Sequence, residues 1–134
     1  HLINYRCGTG HSVSHVGNVH EGPHALNGRN TTLMRPGMIV TDEPGVYETD
    51  LVGIRIENEL VCVHKADNQY GTFLGFEPIM FVPIATSPIV PGVLTKDELD
   101  WLNNYHRQVF EKLAPRLNDE EREWLAKKCA AIGC

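Results

Sequence analysis

No cluster of lysine and arginine stands out in this 134-residue chain, whose 12 basic and 17 acidic residues leave a net charge of −5. Nucleic acid and anionic membrane both call for a basic face, so neither is an expected partner. Apolar runs are short as well. A membrane-spanning helix needs roughly 18 consecutive apolar residues. The longest candidate, Ile79 to Ile89, is interrupted by Pro83, Thr86, Ser87 and Pro88. The start His1-Leu2-Ile3-Asn4-Tyr5-Arg6 has no apolar core of the kind that marks a secretory leader. It has no initiating Met either, and the expectation is a chain that begins partway through a larger protein. Cysteine is sparse: Cys7, Cys62, Cys129 and Cys134 form no CxxC pair, which excludes a zinc ribbon. Four cysteines in a chain of this length do not make a disulfide framework, so reduced thiols in a cytoplasmic protein are expected. Repeats and low-complexity segments are missing too.

What is present is globular: 42% hydrophobic and 22% charged residues, in a chain long enough for one cored domain. Two textures divide it, and they predict a first part over residues 1–92 and a helical segment over 93–134. In the first part, Met38 to Glu43 is a β-prone run stopped by the turn signal Pro44-Gly45. Gly53 to Val63 reads as one strand, with Ile54 and Ile56 on one face and Arg55 and Glu57 on the other. The connection Val46 to Val52 is short enough to make these two runs an antiparallel pair. Further strands are expected around Thr72 to Phe76 and Ile79 to Val82.

In the second part, Thr95-Lys96-Asp97-Glu98 has the form of a capping box. Leu99, Leu102, Tyr105, Val109, Phe110 and Leu113 follow at helical spacing, Pro115 closes the helix, and Asn118 caps another. Trp124, Leu125 and Cys129 are expected on the inner side of that second helix. The fold class is α+β, an antiparallel sheet with a C-terminal helical hairpin.

Five of seven histidines, His1, His11, His15, His20 and His24, fall within the first 24 residues. The His11…His15 spacing is HxxxH, but the zincin helix is excluded by Ser12 in place of the general base and by Gly8, Gly10 and Gly17 around it. Glu43 and Glu57 lie in strand contexts. Facing residues of paired strands are about 4.5–5.5 Å apart, which suits carboxylates that grip two cations about 3.5–4 Å apart. Taken singly, each residue has a plainer explanation: Glu57 beside Arg55 as a surface ladder, His11 as a hydrogen-bonded surface histidine.

Four blocks then occur in order: Gly8-Thr9-Gly10-His11, Asn18-Val19-His20-Glu21-Gly22-Pro23, Gly37 to Gly45 containing Thr41-Asp42-Glu43-Pro44-Gly45, and Gly53-Ile54-Arg55-Ile56-Glu57-Asn58. Together they resemble the signature blocks of the Xaa-Pro aminopeptidase (aminopeptidase P) branch of the pita-bread metallopeptidases. Trp101 to His106 is similar to the terminal segment of cytosolic members, so the resemblance covers nearly the whole chain. It implies the C-terminal half of a pita-bread catalytic domain over residues 1–92, followed by the helical segment 93–134.

By this resemblance the parent protein binds two divalent metal ions, most often manganese, with cobalt or zinc as options, and removes an N-terminal residue that precedes proline. His11 and Glu43 would be metal ligands and Glu57 would bridge the two ions. Glu43 would also move the proton, His20 would contact substrate and steady the tetrahedral intermediate, and Arg55 would hold the carboxylates in register. The implied partners are peptides with proline at the second position and, in the parent, a second copy of the chain. Imidazole with carboxylates and no thiolate is itself a donor set for Mn, Co or Zn.

The chain departs from the family pattern at Cys7, where a His is usual, and at Ser12 and Ser14, where Gly is common. The two Asp ligands of the family lie upstream of these blocks. Asp42, next to Glu43, points to the other strand face, and Asp50 falls in a turn, so neither replaces them and the chain alone is expected to be inactive. Alternatives are a prolidase-like dipeptidase and a non-catalytic pita-bread module that binds peptides or proteins. Trp101 and Trp124 form a dimer contact in one reading and pack on the sheet in the other, which the sequence favours.

Overall fold

The computed structural model describes residues 5–90 and 92–133, so His1 and Cys134 lie outside the described residues. The chain divides into two compact units, His1–Met80 and Phe81–Cys134.

The first unit is built from antiparallel β-structure. Strands β1 (Gly10–His11) and β2 (Ala25–Leu26) pair with each other. Strand β3 (Ile39–Asp42) lies against β6 (Asn58–Asn68), which continues into a hairpin with β7 (Gly71–Pro78), giving the order β3-β6-β7. Between β3 and β6 the chain makes a smaller hairpin, β4 (Gly45–Glu48) with β5 (Val52–Arg55). Its turn places Asp50 at φ 56°, in the left-handed region that Asp tolerates better than most residues.

The register explains how these pieces relate. In β3–β6, Ile39 pairs with Val61 and Asp42 with Asn58; in β4–β5, Gly45 pairs with Arg55 and Glu48 with Val52. Both ladders keep one register, interrupted only at Glu43-Pro44 and Ile56-Glu57. The break has a local cause. Pro44 accepts the Ile56 N–H at 3.4 Å but has no N–H to return.

Three expectations are therefore corrected. The single strand Gly53 to Val63 is two strands in two sheets, with Glu57 in the gap. The connection Val46 to Val52 carries most of a hairpin. Ile79 to Val82 is not a strand: β7 ends at Pro78, and nothing from Ile79 to Ala85 is regular. The expected strand at Thr72 to Phe76 is present within β7. Val40 and Cys62 are fully or almost fully buried.

The second unit is helical. Helix α1 (Lys96–Leu113) starts at Thr95, whose hydroxyl accepts the Glu98 N–H while the Glu98 carboxylate accepts the Thr95 N–H. Leu99, Leu102, Tyr105 and Val109 are buried, as the spacing predicts, and His106 with them. A 3-10 turn over Ala114–Arg116 contains Pro115, and Asn118 caps α2 (Asp119–Lys128) by the same reciprocal bonding with Glu121. Tyr105, Val109 and Leu125 form the core, with Phe81, Ile84, Phe110, Leu113, Leu117 and Cys129 around it. Phe81 and Ile84, at the start of this compact unit, pack against its core.

Trp124 does not face inward. It is 56% exposed beneath the Lys128 ammonium, and Trp101, 62% exposed, stacks on Tyr105 with ring centroids 5.8 Å apart. The expectation that Trp124 faces the inner side of its helix is corrected. Ten residues as polar as α2 bury one apolar side chain, Leu125, and leave the rest of the helix to solvent. No helix among the described residues is long and apolar enough to cross a membrane.

Candidate metal and catalytic site

Three chain segments meet at Glu43. The first is the lead into β1, where the Thr9 carbonyl accepts the Glu43 N–H at 2.6 Å. Gly10 follows, and a Cβ there would stand 1.8 Å from the Thr41 carbonyl oxygen, far inside contact distance, so only glycine allows this approach of β1 to β3. The His11 N–H then donates to the Thr41 hydroxyl at 3.0 Å, and that hydroxyl donates to Glu43 Oε1 at 2.8 Å. Backbone packing and one buried threonine thus set the distance between His11 and Glu43.

Their side chains converge. His11 Nε2 lies 3.0 Å from Glu43 Oε1, and Arg55 donates from a guanidinium NH₂ to Glu43 Oε2. The other His11 nitrogen, Nδ1, is 2.9 Å from the Ser12 carbonyl. A carbonyl only accepts, so Nδ1 carries a proton and Nε2 is the nitrogen turned to Glu43. Two acceptors at that separation repel unless a proton or a metal ion lies between them. Glu43 is 8% exposed, which makes an uncompensated carboxylate costly there.

Arg55 is itself held. Its Nε donates to the Tyr47 hydroxyl at 2.6 Å and its guanidinium carbon stands 5.6 Å from the centre of that ring. Gly45 and Gly53 leave the room the ring occupies: a Cβ at either would come within 3.0 Å of Tyr47. Tyr47 is a site residue that sequence reasoning missed. The signal lay in the β4–β5 hairpin register, which pairs Tyr47 with Gly53 two residues from Arg55.

His20 is exposed, yet its ring lies 4.1 Å from that of His11, centroid to centroid. Glu57 is the expected site residue that does not join the group. It is exposed in the gap between β5 and β6, although the shared register puts position 57 opposite position 43. Asp42 pairs with Asn58 in the ladder, and Asp50 lies in the hairpin turn, as expected. Cys7 donates its thiol to the Gly45 carbonyl at 2.8 Å, so it braces the start of β4. Cys7, Cys62 and Cys129 are free thiols.

Among the described residues no group of three or more His, Cys, Asp or Glu side chains is placed to hold a metal ion. The donors that converge, one imidazole and one carboxylate, fit a divalent cation in kind. In number they fall short.

Comparison with known proteins gives a consistent picture. The model described as metallopeptidase family M24 matches residues 2–64, and the C-terminal region of peptidase_M24 matches residues 72–132. Aminopeptidase P2 of Arabidopsis thaliana is 46% identical over 130 residues, which are 92% of this chain and 18% of that protein. A probable Xaa-Pro aminopeptidase P of Coprinopsis cinerea is 42% identical over 138 residues, 97% of this chain and 22% of that one. The crystal structure of X-prolyl aminopeptidase from Caenorhabditis elegans, described as a cytosolic enzyme with a di-nuclear active site, matches 93% of this chain and 21% of its own, with a TM-score of 0.79 and 39% identity. The fold is thus that of part of an X-prolyl aminopeptidase, and the chain spans about a fifth of the length of the relatives it matches.

Proposed function

The chain belongs to metallopeptidase family M24, and from that premise we propose that its parent protein is a metal-dependent aminopeptidase that removes an N-terminal residue preceding proline. The observation that carries the reading is the His11–Glu43 pair, Glu43 buried and His11 half-buried, with Arg55 closing the far carboxylate oxygen. In this reading residues 1–92 are the C-terminal half of the catalytic domain and 93–134 a C-terminal helical segment. The remaining metal ligands come from elsewhere in the parent.

His11, Glu43 and Glu57 would hold the ions. When bound, two divalent cations, manganese in our proposal, would supply Lewis acidity and a water acidified to react at neutral pH. The chain's own residues do the rest. Ser12 fixes the His11 ring through Nδ1, so that Nε2 is the donor atom. Arg55, steadied by Tyr47, keeps Glu43 Oε2 occupied and leaves Oε1 to hold or pass a proton. His20, exposed beside His11, is free to meet the substrate carbonyl oxygen as charge develops on it. The reaction takes place in the cytoplasm, and the parent is a homodimer, in the same proposal.

The test is direct. The full-length protein loaded with manganese should cleave Xaa-Pro peptides, and a metal-loaded full-length protein without that activity refutes the proposal. Preference for dipeptides over longer peptides would move the assignment to a prolidase-like enzyme. One observation favours a non-catalytic reading, in which the scaffold binds peptides: Cys7 is committed to a backbone carbonyl where the family has a titratable His. Tight peptide binding without turnover would decide for that reading.

A further inference from the structure

His24 lies outside every role assigned so far, although it is buried. Its Nε2 stands 2.7 Å from the Ile39 carbonyl oxygen of β3. Since that oxygen only accepts, Nε2 carries the proton and donates it. The other nitrogen, Nδ1, is buried without a hydrogen-bond partner. A histidine held this way serves through one bond.

That bond begins a continuous series. The His24 carbonyl accepts the Ser12 N–H at 3.1 Å, and the Ser12 carbonyl accepts the Glu21 N–H at 3.2 Å. The same Ser12 carbonyl accepts Nδ1–H of His11 at 2.9 Å. Ser12 also bridges to Val40, the residue after Ile39. The loop 12–24 is therefore tied at its neck to β3, and the His24 side chain is the buried part of the tie. One end of the series fixes the His11 ring. The other fixes the backbone of Glu21, next to His20, whose exposed side chain meets the His11 ring.

We infer that His24 is a positioning residue: through the Ile39 carbonyl and Ser12 it holds the loop that carries His20 over His11 and Glu43. The inference rests on the reading of His20 as a substrate contact only for its kinetic consequence, because the placement itself is a matter of geometry.

The experiment uses the intact protein with manganese and three variants, His24→Leu, His24→Gln and His20→Ala, with the double variant of the first and last. His24→Leu fills the space without a donor; His24→Gln restores an N–H able to reach the Ile39 oxygen. Loss of one such bond is expected to lower kcat/KM on an Xaa-Pro peptide by about tenfold, and His24→Gln should recover most of it. In the His20→Ala background, His24→Leu should cost much less than in the parent protein, since it acts through a side chain already gone. In the metal-free protein, ring carbon NMR of selectively labelled histidine should show the His20 signal moving toward its free-solution position in His24→Leu and staying in place in His24→Gln. Multiplicative effects in the double variant, equal loss in both His24 variants, or an unmoved His20 signal would each overturn the inference. A protein with no peptidase activity but with the expected NMR shifts would refute the proposed function and support the placement.

Discussion

Glu43 divides two tasks between two oxygens. Oε2 is taken by Arg55, while Oε1 accepts from Thr41 and faces His11 Nε2. Removing the charge while keeping the shape should thus disable the reacting side and keep the packing. In the intact manganese-loaded protein, Glu43→Gln is expected to lower kcat on an Xaa-Pro peptide by about 10²–10⁴-fold. Steady-state kinetics at saturating metal would check it, and a loss of less than threefold would take Glu43 out of proton transfer. His106 makes a different point about single residues. It is wholly buried, accepts the Ile84 N–H on Nε2 at 3.1 Å, and leaves Nδ1 without a partner. Burial holds its pKa below the ordinary value of 6.5. The unfolded chain therefore takes up a proton near that pH while the folded one does not. The stabilisation is complete above that pH and is lost as the pH falls below it, by up to about 1.4 kcal/mol per pH unit. Urea unfolding at pH 7.5 and 5.5 should show a larger acid loss in the parent protein than in His106→Gln, and equal losses would contradict it. Helical spacing misses His106 because a histidine between Tyr105 and Arg107 reads as surface.

At the level of elements, the helices were readable and the sheet only in part. Both capping boxes are local chemistry, a polar side chain and a carboxylate three residues on, and both form as written. Thr95→Ala should cost about 1 kcal/mol, seen as a lower urea midpoint with an unchanged m-value. The strands were harder to read because alternation runs through the break: one register continues on both sides, so Gly53 to Val63 looks like a single strand. The signal was Pro44, which the sequence marks as a stop for its own run. Its consequence for the strand opposite depends on register, which only the pairing reveals. The site divides in the same way. His11 and Glu43 come together because Gly10 and Thr41 bring their backbones together, whereas Glu57 falls in the gap. Gly10→Ala tests that contact. Because the closest atoms are the Thr41 carbonyl, a side-chain shift cannot relieve the contact, and we expect a loss of about 1–3 kcal/mol along with weaker metal binding. A variant as stable and as tight as the parent would show that the approach of β1 to β3 is not what sets the pair.

For the whole molecule the question is where the other metal ligands are. The β4–β5 hairpin and its flanks leave Leu51, Ile54 and Ile56 half or more exposed, and Glu57 sits next to this uncovered apolar stretch. Opposite Glu43 in register yet outside its cluster, Glu57 lacks anything to draw it inward. A cation gripping Glu43 would do so, because it turns the cost of a second carboxylate at that place into a gain. Two donors cannot hold such an ion against water, since Mn, Co and Zn sites need four or more. Isothermal titration should therefore find two manganese ions bound by the intact protein and binding by this chain alone weaker by more than about 100-fold, because loss of even an outer-sphere partner costs about 10–100-fold. The chain alone should also show no turnover of Xaa-Pro peptides. Equal affinity in the two would mean that His11, Glu43 and Glu57 rearrange into a complete site by themselves, and the assignment of the missing ligands to the rest of the parent would fall.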